Sequence, residues 1–257
     1  MSDYFESIGF TLERPEFETQ LQRALAEGEH LVAEHGDYHV WHIGEAELWV
    51  TMYRLGKRRE LAGANPHFEG GARMAVIVES LDRNAEFPLE GELYAWAATP
   101  GDDGDVDAKE HGIYPFSASL PDYDIVAGER TPPFRATLAL AGFASSIEQW
   151  PDEATFAAEQ RREKEGLAFA SHSFVPTGLF GKNVGRARSH AVVTGRVTGS
   201  QTLTNAATGR HYAALRVETY GGELDVVAAQ AQLTGLPEVD SIVRAHCWLS
   251  GRLVALE

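Results

Sequence analysis

An α+β fold is the class this sequence predicts, and three observations carry it. Apolar residues recur at helical spacing near the N-terminus. Strand-like alternation fills most of the remaining length. From about residue 188 onward the pattern is β throughout. The expected architecture is a mostly antiparallel β domain with two helices, residues 1–170, followed by a small β unit, residues 171–257.

Residues 5–12 read as a short strand. Pro15 suits a first helical turn, where its missing N–H would be unpaired anyway. Phe17, Leu21, Leu25 and Val32 follow at roughly helical spacing, and Gly36 is a natural stop, so an amphipathic helix is expected over 15–35. Residues 38–43 and 47–55 read as a hairpin across Gly44-Glu45-Ala46. The segment Asn65-Pro66-His67-Phe68-Glu69-Gly70-Gly71 reads as a turn. Residues 72–81 and 89–98 are two further strands. The stretch from 100 to about 133 is rich in Pro and Asp and reads as irregular. Residues 134–143 form an apolar strand, 151–165 a helix, and 168–175 a strand.

The C-terminal pattern has a long first strand, 190–202, interrupted by Gly195 and Gly199 as bends require. A second strand, 211–220, turns at Gly221-Gly222 into a third, 223–229. A crossover and a returning strand, 241–254, complete it. This arrangement resembles the OB fold over about residues 188–256. The count is one strand short of that fold's five. The last strand could bend and serve twice, residues 168–175 could close the ring, or the unit is an OB-like sheet.

Composition bounds function. The net charge is −16, with 44% hydrophobic and 23% charged residues. Residues 1–171 hold 14 Lys and Arg against 32 Asp and Glu, a balance of −18; residues 172–257 hold 8 against 6, a balance of +2. The acidic half opposes nucleic-acid binding, which depends on cationic contacts with phosphate. One cysteine, Cys247, excludes a disulfide framework and any multi-cysteine zinc site. No basic, apolar leader opens the chain and no run nears the ~20 apolar residues of a membrane span, so a cytoplasmic protein is expected.

Familiar motifs fail. Gly181-Lys182 precedes Asn183, and Pro176 stands where a phosphate loop needs glycine. No nucleophile elbow, zincin motif or dinucleotide fingerprint occurs. Asp103, Asp105 and Asp107 alternate like a calcium loop, but Ala108 and Tyr114 occupy its glycine and glutamate positions. His39 and His42 should point to opposite strand faces, and His30 and His35 are poorly spaced for one metal. No metal and no cofactor is therefore assigned.

Four sets of candidates remain. His67 with Glu69, or with Glu45 and Glu47, could build a general acid–base site for a hydrolase or isomerase. In the last strand Val243, Ala245, Cys247, Leu249 and Leu253 share a core face, joined by Val193, Val197, Leu215 and Val217. The opposite face carries Arg244, His246, Trp248, Ser250 and Arg252 of the last strand with Arg196 and Arg216, and Arg196, Arg216, Arg244, His246 and Trp248 are its ligand candidates. The OB resemblance implies ligand binding there, a single nucleic-acid strand included; the competing reading pairs these arginines with nearby acids. The basic loop of Lys182, Arg186 and Arg188 reads either as an anion site or as a tie to the acidic half. The aromatics Tyr38, Trp41, Trp49, Tyr53, Tyr94 and Trp96 read as core or as a pocket lining. The sequence favours a non-enzymatic module binding a protein or a small ligand.

Overall fold

Alternation becomes strand across most of the chain. In the computed structural model, residues 3–56, 58–101, 107, 111–162, 170–177 and 189–256 are described, and among them thirteen strands and three α-helices form two sheets. The first is an antiparallel meander of β1 (Glu29–Val32), β2 (Gly36–Ile43), β3 (Ala46–Leu55) and β4 (Arg58–Phe68). Helix α1 (Glu16–Glu27) packs on it, with Phe17, Leu21 and Leu25 against the core of Trp41, Leu48 and Val50.

The second sheet contains β5 (Met74–Arg83), β6 (Gly91–Ala98), β7 (Gly112–Leu120), β8 (Phe134–Trp150), β9 (Ser173–Pro176), β10 (His190–Thr204), β11 (His211–Thr219), β12 (Gly222–Ala229) and β13 (Ile242–Leu256). Helix α2 (Tyr123–Glu129) follows β7, and α3 (Glu153–Arg162) follows β8. The sheet's pairings close on themselves twice. One ring runs β8–β5–β6–β7–β13 and back to β8. The other runs β8–β12–β11–β10–β13 and back to β8. Strands β8 and β13 belong to both.

The second ring joins the C-terminal strands β10 to β13 with β8, whose first part is the segment 134–143 read as an apolar strand. β8 lies parallel to β12, Asp225–Val227 beside Ala141–Phe143, and antiparallel to β13. β13 pairs with β10 through its first half, and Ser250 beyond it pairs with Ser119 of β7, a strand of the first ring. β9 pairs with β10, outside both rings. Of the two glycines read as bends, Gly199 stands beside an irregularity, while Gly195 is in regular register with Val243 and marks a close approach instead. A bulge separates Val197 from Gly199 in the pairing with β11, and a Cβ at Gly195 would meet Val217 Cγ1 at 2.6 Å. Val193, Val197, Leu215, Val217, Val243, Ala245, Cys247 and Leu249 all enter one buried cluster, with Leu253 packed against it. Burial pushes the Cys247 thiol up to about 12, so it is an inert core residue.

Several expectations need correction. The helix ends at Gly28, not near His35, because 29–32 pairs with β2. Val32, read as a helix core position, is 65% exposed on β1. Residues 3–8 form a 3-10 turn rather than a strand. Asn65 to Phe68 is not a turn but the end of β4; Pro66 is tolerated there because β4 is an edge strand, where an N–H can be spared. The stretch read as irregular contains β7 and α2, so the described helices number three rather than two. The acidic residues Asp103 and Asp105, and the basic loop of Lys182, Arg186 and Arg188, lie outside the described residues. No helix among the described residues is long and apolar enough to cross a membrane.

Because β8 and β13 belong to both rings, the rings should unfold together. Leu249→Ala, at a fully buried β13 position, is expected to cost about 2–5 kcal/mol and to shift one shared transition. Urea unfolding followed by far-ultraviolet circular dichroism and by tryptophan fluorescence checks this; two separate midpoints would contradict it.

Candidate functional site

The β2–β3 turn and the end of β4 abut the outer face of the second ring. Between them lies a cavity of about 310 Å³, walled by Glu45, Phe68, Gly70 and Gly71 on one side and by Ser200, Gln201, Ala214, Arg216 and Asp225 on the other. Its form follows from local rules. The tight turn between β11 and β12 sets Arg216 directly opposite Asp225. Gly199 faces Arg216 across the β10 bulge and offers no side chain to fill the space. Gly70 and Gly71 bring backbone against the pair: a Cβ at Gly70 would collide with the Asp225 carboxylate, and one at Gly71 with the Arg216 guanidinium.

Arg216 is the unusual member. Among the described residues its guanidinium makes no hydrogen bond. Its Nε is buried without a partner and stands 3.8 Å from Asp225 Oδ1, beyond hydrogen-bond reach. The Asp225 Oδ2 instead accepts the Ala72 N–H at 2.8 Å. Burial raises the Asp225 carboxyl above its ordinary value, opposed by the Ala72 N–H, Arg216 and Arg73. Ser200 Oγ is a second buried polar atom without a partner in the same wall. A guanidinium fork without hydrogen-bond acceptors, set in a cleft, is chemistry suited to a planar oxyanion.

His67 occupies a different place. It is 0% exposed, and its Nδ1 hydrogen-bonds Ser250 Oγ at 2.8 Å. Its Nε2 is 3.7 Å from Glu69 Oε2, and Glu47 is its cross-strand partner. Arg252 ties this group together, with Asp122 at 3.3 Å, Glu69 at 3.5 Å, Glu47 at 4.0 Å and the Trp49 ring below. Carboxylates are thus in reach of His67, but its side chain is sealed between the two sheets. The Asp122 carboxyl is raised by burial, only partly offset by Arg252 and His67. Glu69 is lowered by His67 beside it, with Arg252 and Arg73 assisting against burial. Glu69 therefore adds stability above the ordinary glutamate range, lost as pH falls through its folded value. Asp122 acts oppositely: its folded form keeps the proton to higher pH, so stability is subtracted as pH rises past the ordinary aspartate range.

The five residues of the anticipated ligand face do not act together, and three of them, Arg196, Arg244 and Trp248, are committed to different neighbours. Arg196 pairs with Glu218 at 2.6 Å and Asp240 at 3.1 Å. Arg244 pairs with Glu148 at 2.6 Å and lies over Trp150. Trp248 is stacked under Tyr4, with ring centres 5.1 Å apart. His246 is exposed. Arg216 alone of the five lines the cavity. Tyr38, Trp41 and Trp49 are buried core residues. Hairpin counting from Gly221-Gly222 could have found Asp225 as the partner of Arg216. No local signal marks Gly70, Gly71, Asp122 or Arg252 for their roles, since their neighbours are distant in sequence. No cluster of three metal-ligating side chains occurs among the described residues. No protein-family model, curated protein or solved structure matches the chain.

Arg252→Ala should cost about 3 kcal/mol at neutral pH, the scale of leaving buried charge uncompensated. The deficit should shrink in acid, as Glu69 and Asp122 take up protons and no longer need the cation. Denaturant unfolding of both proteins at neutral and acidic pH checks this; a deficit independent of pH would show that lost packing over Trp49 dominates.

Proposed function

We propose that this chain is a non-enzymatic module that binds a small ligand, whose oxyanion lodges on Arg216 between the meander and the second ring. The observation that carries this reading is the Arg216 guanidinium, which lines a cavity and makes no hydrogen bond within the described structure. Guanidinium donors are strongly hydrogen-bonding groups, and a bidentate carboxylate or phosphate satisfies two of them at once. The cavity volume falls at the small end of the usual range for ligand sites. The second ring is read with it as an OB-like five-stranded unit completed by β8, in a cytoplasmic protein.

The acid–base reading at His67 has less support, because no substrate can approach a fully buried imidazole without opening the sheets. Nucleic-acid binding has less support too, because Arg196 and Arg244 are already engaged by carboxylates in an acidic molecule.

The test is calorimetric titration of the whole chain with small carboxylates and inorganic phosphate, repeated on Arg216→Met. Binding that weakens about 10-fold or more in the variant is expected, the worth of one charge-assisted hydrogen bond. Equal binding by both proteins, or none by either, would reject the site.

A further inference from the structure

We infer that the ligand of the Arg216 cavity is a small zwitterion of the α-amino-acid class, its carboxylate on Arg216 and its ammonium facing Asp225 and Glu45. This rests on the ligand-binding reading above and adds the charge pattern of the ligand to it.

The charges around the cavity carry the argument. Arg216 supplies one positive group; Asp225 and Glu45 supply two negative ones. Asp225 is nearly buried, and Arg216 is the nearest cation that compensates it, at 3.8 Å. A simple monoanion that occupied the guanidinium would take up that compensation. Asp225 would then face a second negative charge across a short gap, with only the Ala72 N–H and the more distant Arg73 to support it. A simple monocation would meet the two carboxylates but leave the buried Arg216 Nε without an acceptor. A molecule bearing both charges resolves both deficits. Its carboxylate satisfies the fork, and its ammonium replaces what Asp225 loses. Glu45, exposed at the β2–β3 turn, lies on the opposite wall and can face the same ammonium.

The remaining lining fits a short backbone-like head group. Ser200 Oγ has no partner and can donate to a carboxylate oxygen. Gly70 and Gly71 bring main chain close to the charged pair without side chains that would fill the cleft. Phe68 and Ala214 form an apolar wall suited to a methylene or a small aliphatic side chain. The volume of about 310 Å³ limits the occupant to a small molecule.

Titration of the full chain with L-alanine, propionate, ethylamine and inorganic phosphate separates the possibilities. L-alanine is expected to bind about 10-fold or more tightly than propionate or ethylamine, one charge-assisted contact being worth about that factor. Asp225→Asn should lower L-alanine affinity about 10-fold and leave propionate binding equal or stronger. The exposed Glu45→Gln supplies a second, milder variant in which L-alanine alone weakens, should Asp225→Asn fail to fold. Propionate or phosphate binding as tight as L-alanine, lost in Arg216→Met, would overturn the zwitterion and leave the oxyanion site standing. Ethylamine binding as tight as L-alanine and indifferent to Arg216→Met would overturn both. Binding of none of the four would likewise reject both readings.

Discussion

The antiparallel ladder between β8 and β13 is the constraint on which the rest of the molecule depends. It runs from Ile242 opposite Trp150 to Leu256 opposite Ala136, with bulges after His246 and Leu253. Two strands of this length can accept different neighbours along different parts of their free edges. β8 pairs with β5 through Ala136 and Leu138, then with β12 through Ala141 and Phe143. β13 pairs with β10 through its first half and reaches β7 at Ser250. Each ring is thus closed by a different stretch of the same pair. Closing an edge removes unpaired backbone groups that would otherwise need water or a partner. The small residues of β8 make the shared region possible. At Gly142 an added Cβ would stand 3.0 Å from Cys247 Sγ, so a larger residue there would press directly on β13.

The meander attaches to this frame in two chemically different ways. On one face, Phe68 and Leu48 join Phe143, Val227 and Tyr212 in an apolar cluster, where burial supplies adhesion without fixing register. On the other, Glu47, Glu69 and Asp122 converge on Arg252. Buried ion pairs seldom add much net stability, because desolvation offsets attraction. They do penalise misplacement, since sliding the meander by one residue would strand several charges. The polar group therefore determines where the meander sits, while the apolar face determines that it sits at all. The cavity beside Arg216 is a consequence of that position: the β2–β3 turn and the Gly70-Gly71 segment are carried to the outer face of the second ring.

The sequence disclosed the local layer of this architecture. Alternation located β2, β3, β5, β6 and all four strands after residue 188, because period-two patterning needs only near neighbours. It assigned Cys247 and Leu249 to the core and Arg216 to the outer face correctly. It misread α1 because Leu31 and Val32 continue an apolar content that a short strand can use equally well. It missed α2 because Pro121 and Asp122 look like loop residues, although Asp124 is buried and accepts the His35 N–H and the Arg83 guanidinium. The role of β8 could not be read, since a strand's partners across some eighty or more residues leave no periodic trace. The same holds for the site. The Arg216–Asp225 opposition follows from a hairpin and was accessible by counting. The approach of Gly70 and Gly71, and the gathering of three carboxylates on Arg252, depend on the long-range closure.

Arg252 and Arg216 show how one side chain type acquires opposite roles from its neighbours. Both project from the rings toward the meander. Arg252 meets three carboxylates and an indole ring, so its charge is matched from several sides. Arg216 meets one carboxylate held at 3.8 Å, because the Ala72 N–H draws the other oxygen away and glycine backbone occupies the space beside it. A lysine in that position would present a compact ammonium and lose the planar fork. A bulkier residue at Gly71 would displace the guanidinium. The difference between a structural arginine and a ligand-ready one therefore lies in the acceptors and spacing around it: several converging carboxylates in one case, and in the other a gap that the backbone keeps open.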